Sequence, residues 1–177
     1  MLFQVILAGF GGQGIMYMGD LLAGAGLKEG RRAAFFPSYG VAMRGGTANC
    51  VVTLSDQEIG SPLPDGPNAA ILMNSPSFKQ FHPKVRTGGI IVANASLIDR
   101  TAFNVDDGVR VVWVPAAEIS RAATENERSA NIVMLGALLR TEPLVQPATV
   151  EALLGKSKAT GATNVAAFRA GLEFDGS

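Results

Sequence analysis

Short, predominantly apolar runs alternate along this chain with longer segments of helical periodicity. The apolar runs cover residues 3–8, 69–73, 89–93 and 109–114. Runs of this kind, without a polar face, are typical of strands that are buried on both sides of a parallel sheet. Their alternation with helical segments predicts an α/β fold: a single doubly wound, Rossmann-like and mostly parallel sheet.

The helical segments are predicted from apolar periodicity and from start signals. They cover residues 15–28, 115–125, 128–140, 149–154 and 164–173, and the strongest pattern lies in 128–140. Another helix is predicted to start at Ser75 and Pro76, with the serine as cap and the proline at the first helical position. The helix over residues 115–125 also begins at a proline.

A β-hairpin is predicted beside the parallel strands. Residues 33–36 form a second strand that ends at Pro37, and residues 47–54 are the most β-branched run of the chain. The polar residues 55–58 are expected to turn this run back onto a short piece around Ile59. No repeat or linker divides the sequence, so we expect one domain over residues 1–177.

Charge and cysteine content exclude several classes of protein. Fifteen basic and fifteen acidic residues cancel, so no basic surface for nucleic acid is expected. Cys50 is the single cysteine, which fits a reducing compartment. No window approaches the ~20 apolar residues of a membrane helix, and residues 1–9 lack the charged segment of a signal peptide. We therefore expect a cytoplasmic protein that does not bind a membrane.

The segment Gly9-Phe10-Gly11-Gly12-Gln13-Gly14 matches the pattern G-x-G-x-x-G between a buried strand and a helix. Glycines there permit a tight turn and expose backbone N–H groups to a phosphate at the helix N-terminus. NAD binding also needs an acidic residue at the end of the second strand. That strand ends Phe35-Phe36-Pro37-Ser38, without an acid, which disfavours NAD. A site for another anion and a purely structural crossover both remain open.

A second glycine-rich segment runs from Ser38 to Gly46. Arg44, which precedes Gly45 and Gly46, could bind a phosphate or carboxylate through two hydrogen bonds, and Tyr39 could stack or hydrogen-bond. The alternative is a structural loop in which Arg44 pairs with an internal acid. A single Arg-Gly-Gly does not make an RNA-binding tract.

The remaining reactive side chains do not complete a catalytic set. Cys50 lies in a predicted strand and is expected to be a small core residue. His82 is the only histidine, and its position near a helix end favours an exposed or capping role. One cysteine and one histidine supply neither a structural zinc site nor an iron–sulfur cluster.

Three motifs in this order resemble one known family. They are the segment 5–14 that ends in the Gly-rich pattern, the segment Ser38-Tyr39-Gly40-x-x-x-Arg44-Gly45-Gly46-Thr47-Ala48-Asn49-Cys50, and Asn131-Ile132-Val133-Met134-Leu135-Gly136. Together they are similar to the gamma subunit of 2-oxoacid:ferredoxin oxidoreductases. The 2-oxoglutarate type is the nearest subgroup, although pyruvate, branched-chain and indolepyruvate enzymes share these motifs.

The resemblance implies a multi-subunit enzyme with alpha, beta and ferredoxin-like delta subunits. Such an enzyme decarboxylates a 2-oxoacid on thiamine diphosphate, passes electrons through iron–sulfur clusters to ferredoxin, and forms an acyl-coenzyme A. This chain lacks the Gly-Asp-Gly signature for thiamine diphosphate and the cysteines for a cluster, so it is expected to support the reaction without carrying these centres.

The resemblance also implies candidate residues for holding coenzyme A. These are Gly9, Gly11, Gly12, Gln13, Gly14, Tyr39, Arg44, Gly45 and Gly46, and no catalytic or metal-binding residue is assigned. Many family members have an acid where this chain has Ala42, so no role of that acid is transferred. The rival interpretations are a dinucleotide-dependent oxidoreductase and a stand-alone nucleotide- or coenzyme A-binding protein.

Overall fold

The computed structural model describes residues 1–39, 46–60 and 66–176, with Tyr39 described by its backbone alone. Its strands are β1 (Leu2–Phe10), β2 (Arg32–Tyr39), β3 (Thr47–Ser55), β4 (Ala69–Leu72), β5 (Ile90–Asn94) and β6 (Arg110–Val114). Its α-helices are α1 (Ile15–Lys28), α2 (Ser75–Phe81), α3 (Ala116–Thr124), α4 (Ala130–Thr141), α5 (Pro147–Leu154) and α6 (Gly161–Glu173). Short 3-10 turns span His82–Lys84 and Arg100–Ala102.

The six strands form one mixed sheet in the order β2-β3-β1-β4-β5-β6. β1, β4, β5 and β6 run parallel, while β3 is antiparallel to both β1 and β2. The predicted mostly parallel α/β fold is confirmed. The predicted hairpin partner is wrong: residues around Ile59 form no strand, and β3 pairs with β2 before it and with β1. The alternating residues of β3 find buried partners in β1, which a short local turn does not provide.

Helices cover both faces of the sheet. α1, α3, α4, α5 and α6 pack on the face to which Val5 and Leu7 of β1 point, and α2 packs on the face of Ile6 and Ala8. Every residue of α4 from 131 to 139 is buried. This helix is apolar on all sides because it lies between the sheet and α6.

Two glycines bring α4 and α6 unusually close together. A Cβ on Gly136 would overlap the carbonyl oxygen of Phe168, and a Cβ on Gly171 would overlap that of Val133. The same Cβ on Gly171 would lie 3.1 Å from the Cα of Gly136. The two helix backbones are therefore in direct contact at this crossing.

The predicted helices are present, with small changes at their ends. The cap of α2 is Asn74, not Ser75: Asn74 has extended backbone angles and its side chain accepts a hydrogen bond from the Ser77 N–H. Ser75 is already helical, so Pro76 is the second helical residue. No helix within the described residues is both long and apolar enough to cross a membrane.

Candidate functional site

The Gly-rich segment forms a tight crossover from β1 to α1. Gly12 and Gly14 have φ of +92° and +72°, in the region that favours glycine. Gly14 caps α1 from a left-handed conformation, and its carbonyl accepts the first helical hydrogen bond, from the Met18 N–H. The N–H of Gly11 donates to the carbonyl oxygen of Gly46 at 3.0 Å. The turn thus contacts the residue that ends the second glycine-rich segment.

The side chain of Gln13 folds back over the start of this turn. Its Oε1 accepts hydrogen bonds from the Phe10 N–H, at 2.7 Å, and from the Asn74 Nδ2, at 3.1 Å. A Cβ on Gly9 would lie 2.6 Å from that Oε1 and 2.9 Å from the Cβ of Met73. The first glycine of the motif is therefore needed because Gln13 and Met73 occupy the space beside it.

At the other end of the turn, the side chain of Asn131 of α4 fills the space beside Gly14, as Gln13 does beside Gly9. Its Nδ2 donates to the Gly14 carbonyl at 3.4 Å, and a Cβ on Gly14 would overlap this amide group. Asn131 is only 7% exposed. The first and third motifs of the sequence therefore meet at Gly14.

A pocket of about 210 Å³ opens beside the turn, at the carboxyl ends of β1, β4 and β5. Its lining is polar on the turn and on α4, and comprises Gly12, Gln13, Met73, Asn94, Leu97, Ala117, Glu127, Arg128, Ala130 and Asn131. The first turns of α3 and α4 border it, and so does the turn that leads into α1; each of these helix N-termini contributes partial positive charge. The carboxylate of Glu127 pairs with Arg121. The exposed Arg128 guanidinium adds a full charge at the rim, so the pocket favours an anionic group.

Side-chain amides continue the polar lining across the ends of the strands. Asn94, at the end of β5, donates from Nδ2 to the Met73 carbonyl at 3.2 Å and accepts from the Ser96 N–H at 3.2 Å. The Ser96 hydroxyl in turn accepts from the Ala117 N–H at 3.0 Å and donates to Glu118. This hydroxyl, with the backbone N–H of Glu118 itself, lowers the pKa of the Glu118 carboxyl.

The structure brings some of the sequence candidates together. Gly9, Gly11, Gly12, Gln13 and Gly14 form the turn, and Gly46 contacts it. Arg44, Gly45 and the side chain of Tyr39 lie outside the described residues. Binding by any of these residues stays a prediction.

Sequence reasoning missed Asn94 and Arg128, which line the pocket, and Asn74, which hydrogen-bonds to the Gln13 side chain beside it. Asn74 directly follows the apolar run of β4, and Asn94 closes that of β5. Carboxyl ends of neighbouring parallel strands lie at one edge of a sheet, which could have pointed to both asparagines. Arg128 had no such signal, because its position follows from the packing of α4.

The end of β2 is not the position at which the dinucleotide pattern needs an acid, because β2 does not lie beside β1. β2 is the outer strand of the hairpin and is separated from β1 by β3, whereas the parallel neighbour of β1 is β4. β4 is followed by Met73 and Asn74, so the ribose-binding acid of the dinucleotide pattern is absent at this position too.

Cys50 and His82 have the structural roles that were expected. Cys50 is fully buried, which raises the pKa of its thiol to about 12. His82 ends α2: its Nδ1 lies 2.7 Å from the Phe78 carbonyl oxygen and its ring stacks on that of Phe78. In residues 1–39, 46–60 and 66–176, no three metal-ligating side chains lie together.

Known proteins resemble this chain in sequence and in fold. A family model described as pyruvate ferredoxin/flavodoxin oxidoreductase matches residues 4–174. Ketoisovalerate oxidoreductase subunit VorA of Methanothermobacter marburgensis is 40% identical over 136 residues, which cover 77% of this chain and 28% of VorA. The chain thus spans little more than a quarter of that relative.

Other relatives match over nearly their whole length. 2-Oxoglutarate synthase subunit KorC of Methanocaldococcus jannaschii is 30% identical over 173 residues, which cover 96% of this chain and 92% of KorC. A keto/oxoacid ferredoxin oxidoreductase gamma subunit from Geobacter sulfurreducens PCA shares the fold, with a TM-score of 0.84, 24% identity, and coverage of 98% of this chain and 95% of that one. The family resemblance predicted from the three motifs is confirmed.

Proposed function

Because this chain belongs to the pyruvate ferredoxin/flavodoxin oxidoreductase family, we propose that it works in the cytoplasm as the gamma subunit of a 2-oxoacid:ferredoxin oxidoreductase. Its single cysteine is buried, so its residues do not fit an iron–sulfur cluster, which takes several thiolates. The sequence also lacks the thiamine diphosphate signature. In the proposed complex, both centres are carried by partner subunits, and ferredoxin accepts the electrons.

The pocket beside the Gly-rich turn is the observation that supports a role in holding coenzyme A. Its volume of about 210 Å³ has room for a phosphate group or an amide segment, and not for the whole coenzyme. Phosphates carry the charge that Arg128 and the bordering helix N-termini favour. In the complex, coenzyme A accepts the acyl group as a thioester. This chain is proposed to hold part of the coenzyme, and partner subunits the rest.

The second glycine-rich segment is proposed as part of the same site. The hydrogen bond from the Gly11 N–H to the Gly46 carbonyl joins the end of that segment to the turn. Arg44 precedes Gly46 by two positions in the sequence. We therefore propose Tyr39, Arg44 and Gly45 as further contributors to coenzyme binding.

For the 2-oxoacid, 2-oxoglutarate is our first candidate and 3-methyl-2-oxobutanoate (ketoisovalerate) the second. The named 2-oxoglutarate synthase subunit matches this chain over 92% of its own length. The named ketoisovalerate subunit has the higher identity, 40%, although the match covers only 28% of it. An assay of the complex against both acids, pyruvate and indolepyruvate decides between them.

Reconstitution tests the subunit role. A tagged form of this chain is co-expressed with the thiamine-binding, alpha and ferredoxin-like chains of its host, and the purified material is assayed for ferredoxin reduction that needs both a 2-oxoacid and coenzyme A. We expect activity from the complex and none from this chain alone. Purification of the chain from its native host as a lone species would contradict the proposal.

Arginine variants in the complex test the coenzyme site. We expect Arg44→Ala and Arg128→Ala each to raise the KM for coenzyme A at least about tenfold, since a charged hydrogen bond to phosphate contributes about 1.5–3 kcal/mol. Decarboxylation of the 2-oxoacid should persist. Arg100→Ala, an exposed arginine outside the pocket lining, is the matched control. Loss of assembly in Arg44→Ala would reassign that residue to structure.

The pocket also favours one second candidate, a stand-alone nucleotide- or coenzyme A-binding protein. This candidate predicts tight binding of coenzyme A by the isolated chain, measured by calorimetry. The gamma-subunit proposal predicts weak binding until the partner subunits are added, because the pocket holds only part of the coenzyme.

A further inference from the structure

Two backbone N–H groups fix the orientation of the Gln13 and Asn74 amides. A backbone N–H only donates, so the Gln13 atom that lies 2.7 Å from the Phe10 nitrogen is the carbonyl oxygen Oε1. In the same way, the Asn74 atom that lies 2.9 Å from the Ser77 nitrogen is Oδ1. The amide nitrogen of Asn74 must therefore face Gln13, where it donates to Oε1 at 3.1 Å.

This chain of bonds determines which atom of Gln13 remains for a ligand. With Oε1 occupied by two donors, Nε2 is the other atom of the amide, and within the described residues it donates to no protein acceptor. Gln13 lines the same pocket as Arg128 and the first turn of α4. Asn74 is only 2% exposed and is not among the lining residues.

We propose that Asn74 is a positioning residue that holds the Gln13 amide with its Nε2 hydrogens available to an anionic group in the pocket. This proposal rests on the proposed function, in which that group belongs to coenzyme A. Asn74 acts through Gln13 and does not touch the ligand. If the Gln13 amide turned over, Nε2 would face the N–H of Phe10 and the Nδ2 of Asn74, and none of the three would find an acceptor.

Two substitutions separate this role from the capping of α2. Asn74→Ser and Asn74→Asp both keep an oxygen that accepts from the Ser77 N–H, because serine and aspartate are good N-caps. Serine loses the donor to Gln13. Aspartate puts an acceptor there instead, which repels the Gln13 Oε1. The Gln13 amide must then leave the Phe10 N–H or turn over, and in both cases the Phe10 N–H loses its acceptor and Nε2 is no longer held towards the pocket.

The kinetic measurement uses the assembled complex, with coenzyme A as the variable substrate. We expect the KM for coenzyme A to rise about threefold in Asn74→Ser and about tenfold in Asn74→Asp, while kcat and the KM for the 2-oxoacid stay unchanged. Ser77→Ala is the matched control in the same helix, since the Ser77 hydroxyl is buried and has no hydrogen-bond partner among the described residues. An unchanged KM for coenzyme A in Asn74→Asp would overturn the proposal.

Hydrogen–deuterium exchange of the Phe10 amide supplies a readout that does not depend on activity. Exchange should accelerate in Asn74→Asp and stay at the wild-type rate in Ser77→Ala. Unchanged exchange in Asn74→Asp would show that Asn74 does not orient Gln13, and would overturn the inference. Failure of the proposed function would be distinct: the wild-type complex would then turn over without any dependence on coenzyme A.

Discussion

Glycine permits close contact in two regions of this molecule, and it does so for different partners. Where α4 crosses α6, Gly136 and Gly171 let one helix backbone lie against the other. In the crossover from β1 to α1, Gly9 and Gly14 leave space for side-chain amides, those of Gln13 and Asn131. The helix crossing is a matter of packing alone. The crossover has a second consequence, because the amides that fill the space are polar and border a pocket.

The helix crossing should tolerate a methyl group least. Gly→Ala inside a helix normally stabilises by about 1 kcal/mol. At Gly136 and Gly171, however, the new Cβ meets backbone atoms that move only if the helices separate. We expect a net loss of about 2–3 kcal/mol in the free energy of unfolding for each variant, measured by urea denaturation.

Gly24 of α1 is the control for the crossing. A Cβ there would have its nearest contact at 3.8 Å, with a methyl carbon of Leu153, which is an ordinary distance. Gly24→Ala should therefore stabilise the protein by up to about 1 kcal/mol. A similar gain at Gly136 or Gly171 would show that α4 and α6 separate without cost.

The crossover should show an intermediate effect that depends on the amide. Gly14→Ala places a side chain at φ +72° and against the Asn131 amide, so we expect a loss of about 2 kcal/mol. Gly12→Ala also has a positive φ, +92°, but a Cβ there meets nothing within 4 Å, so the loss should be about 1 kcal/mol.

A double variant separates strain from steric contact at Gly14. In the background of Asn131→Ala, the additional effect of Gly14→Ala should shrink to that of Gly12→Ala, because only backbone strain remains. If the two substitutions were simply additive by thermal or urea denaturation, Asn131 would not be the residue that requires glycine at position 14.

The last effect vanishes at neutral pH and concerns a further glycine contact, between α1 and β3. A Cβ on Gly19 would lie 2.7 Å from the Cys50 Sγ, so this contact involves a thiol. Burial raises the pKa of that thiol from 9.0 to about 12. Above pH 9 the unfolded chain loses the proton that the folded chain keeps, so this group makes stability fall as pH rises from 9 towards 12.

Cys50→Ala isolates this contribution from other groups that titrate in the same range. The wild-type protein should lose stability up to about 1.4 kcal/mol per pH unit faster than the variant between pH 9 and 11. Urea denaturation of both proteins at each pH measures the difference. Equal slopes would mean that the thiol ionises in the folded state.

Most of the fold could be predicted because its signals are local. Short contiguous segments predict three of its elements: the β-branched run predicts β3, the buried apolar run predicts β4, and the helical periodicity predicts α4. The partners of β3 could not be predicted in this way, since pairing with both β2 and β1 depends on which buried faces match. The cap of α2 was missed by one residue because Asn74 and Ser75 are both suitable caps, and only the backbone angles decide between them.

The site was predicted in part, for a similar reason. The Gly-rich turn is contiguous in sequence, and its pattern identifies it. The pocket depends on Asn74, Asn94 and Arg128, which come from three separate segments and meet only after the sheet and α4 have packed. The sequence also does not show why position 14 of the turn must be glycine, because the side chain that requires it, Asn131, belongs to the distant helix α4.

The central position of β1 has a consequence for how this protein folds. β1 joins both halves of the sheet, through pairs such as Leu2 with Ser55 and Val5 with Ala69. The hydrogen-bonding groups on one edge of β1 therefore stay unpaired until β3 has been made, and those on the other edge until β4 has been made. Such distant pairing slows the search for the native state. We expect the sheet to form late and in one cooperative step, after α1 and the β2–β3 hairpin.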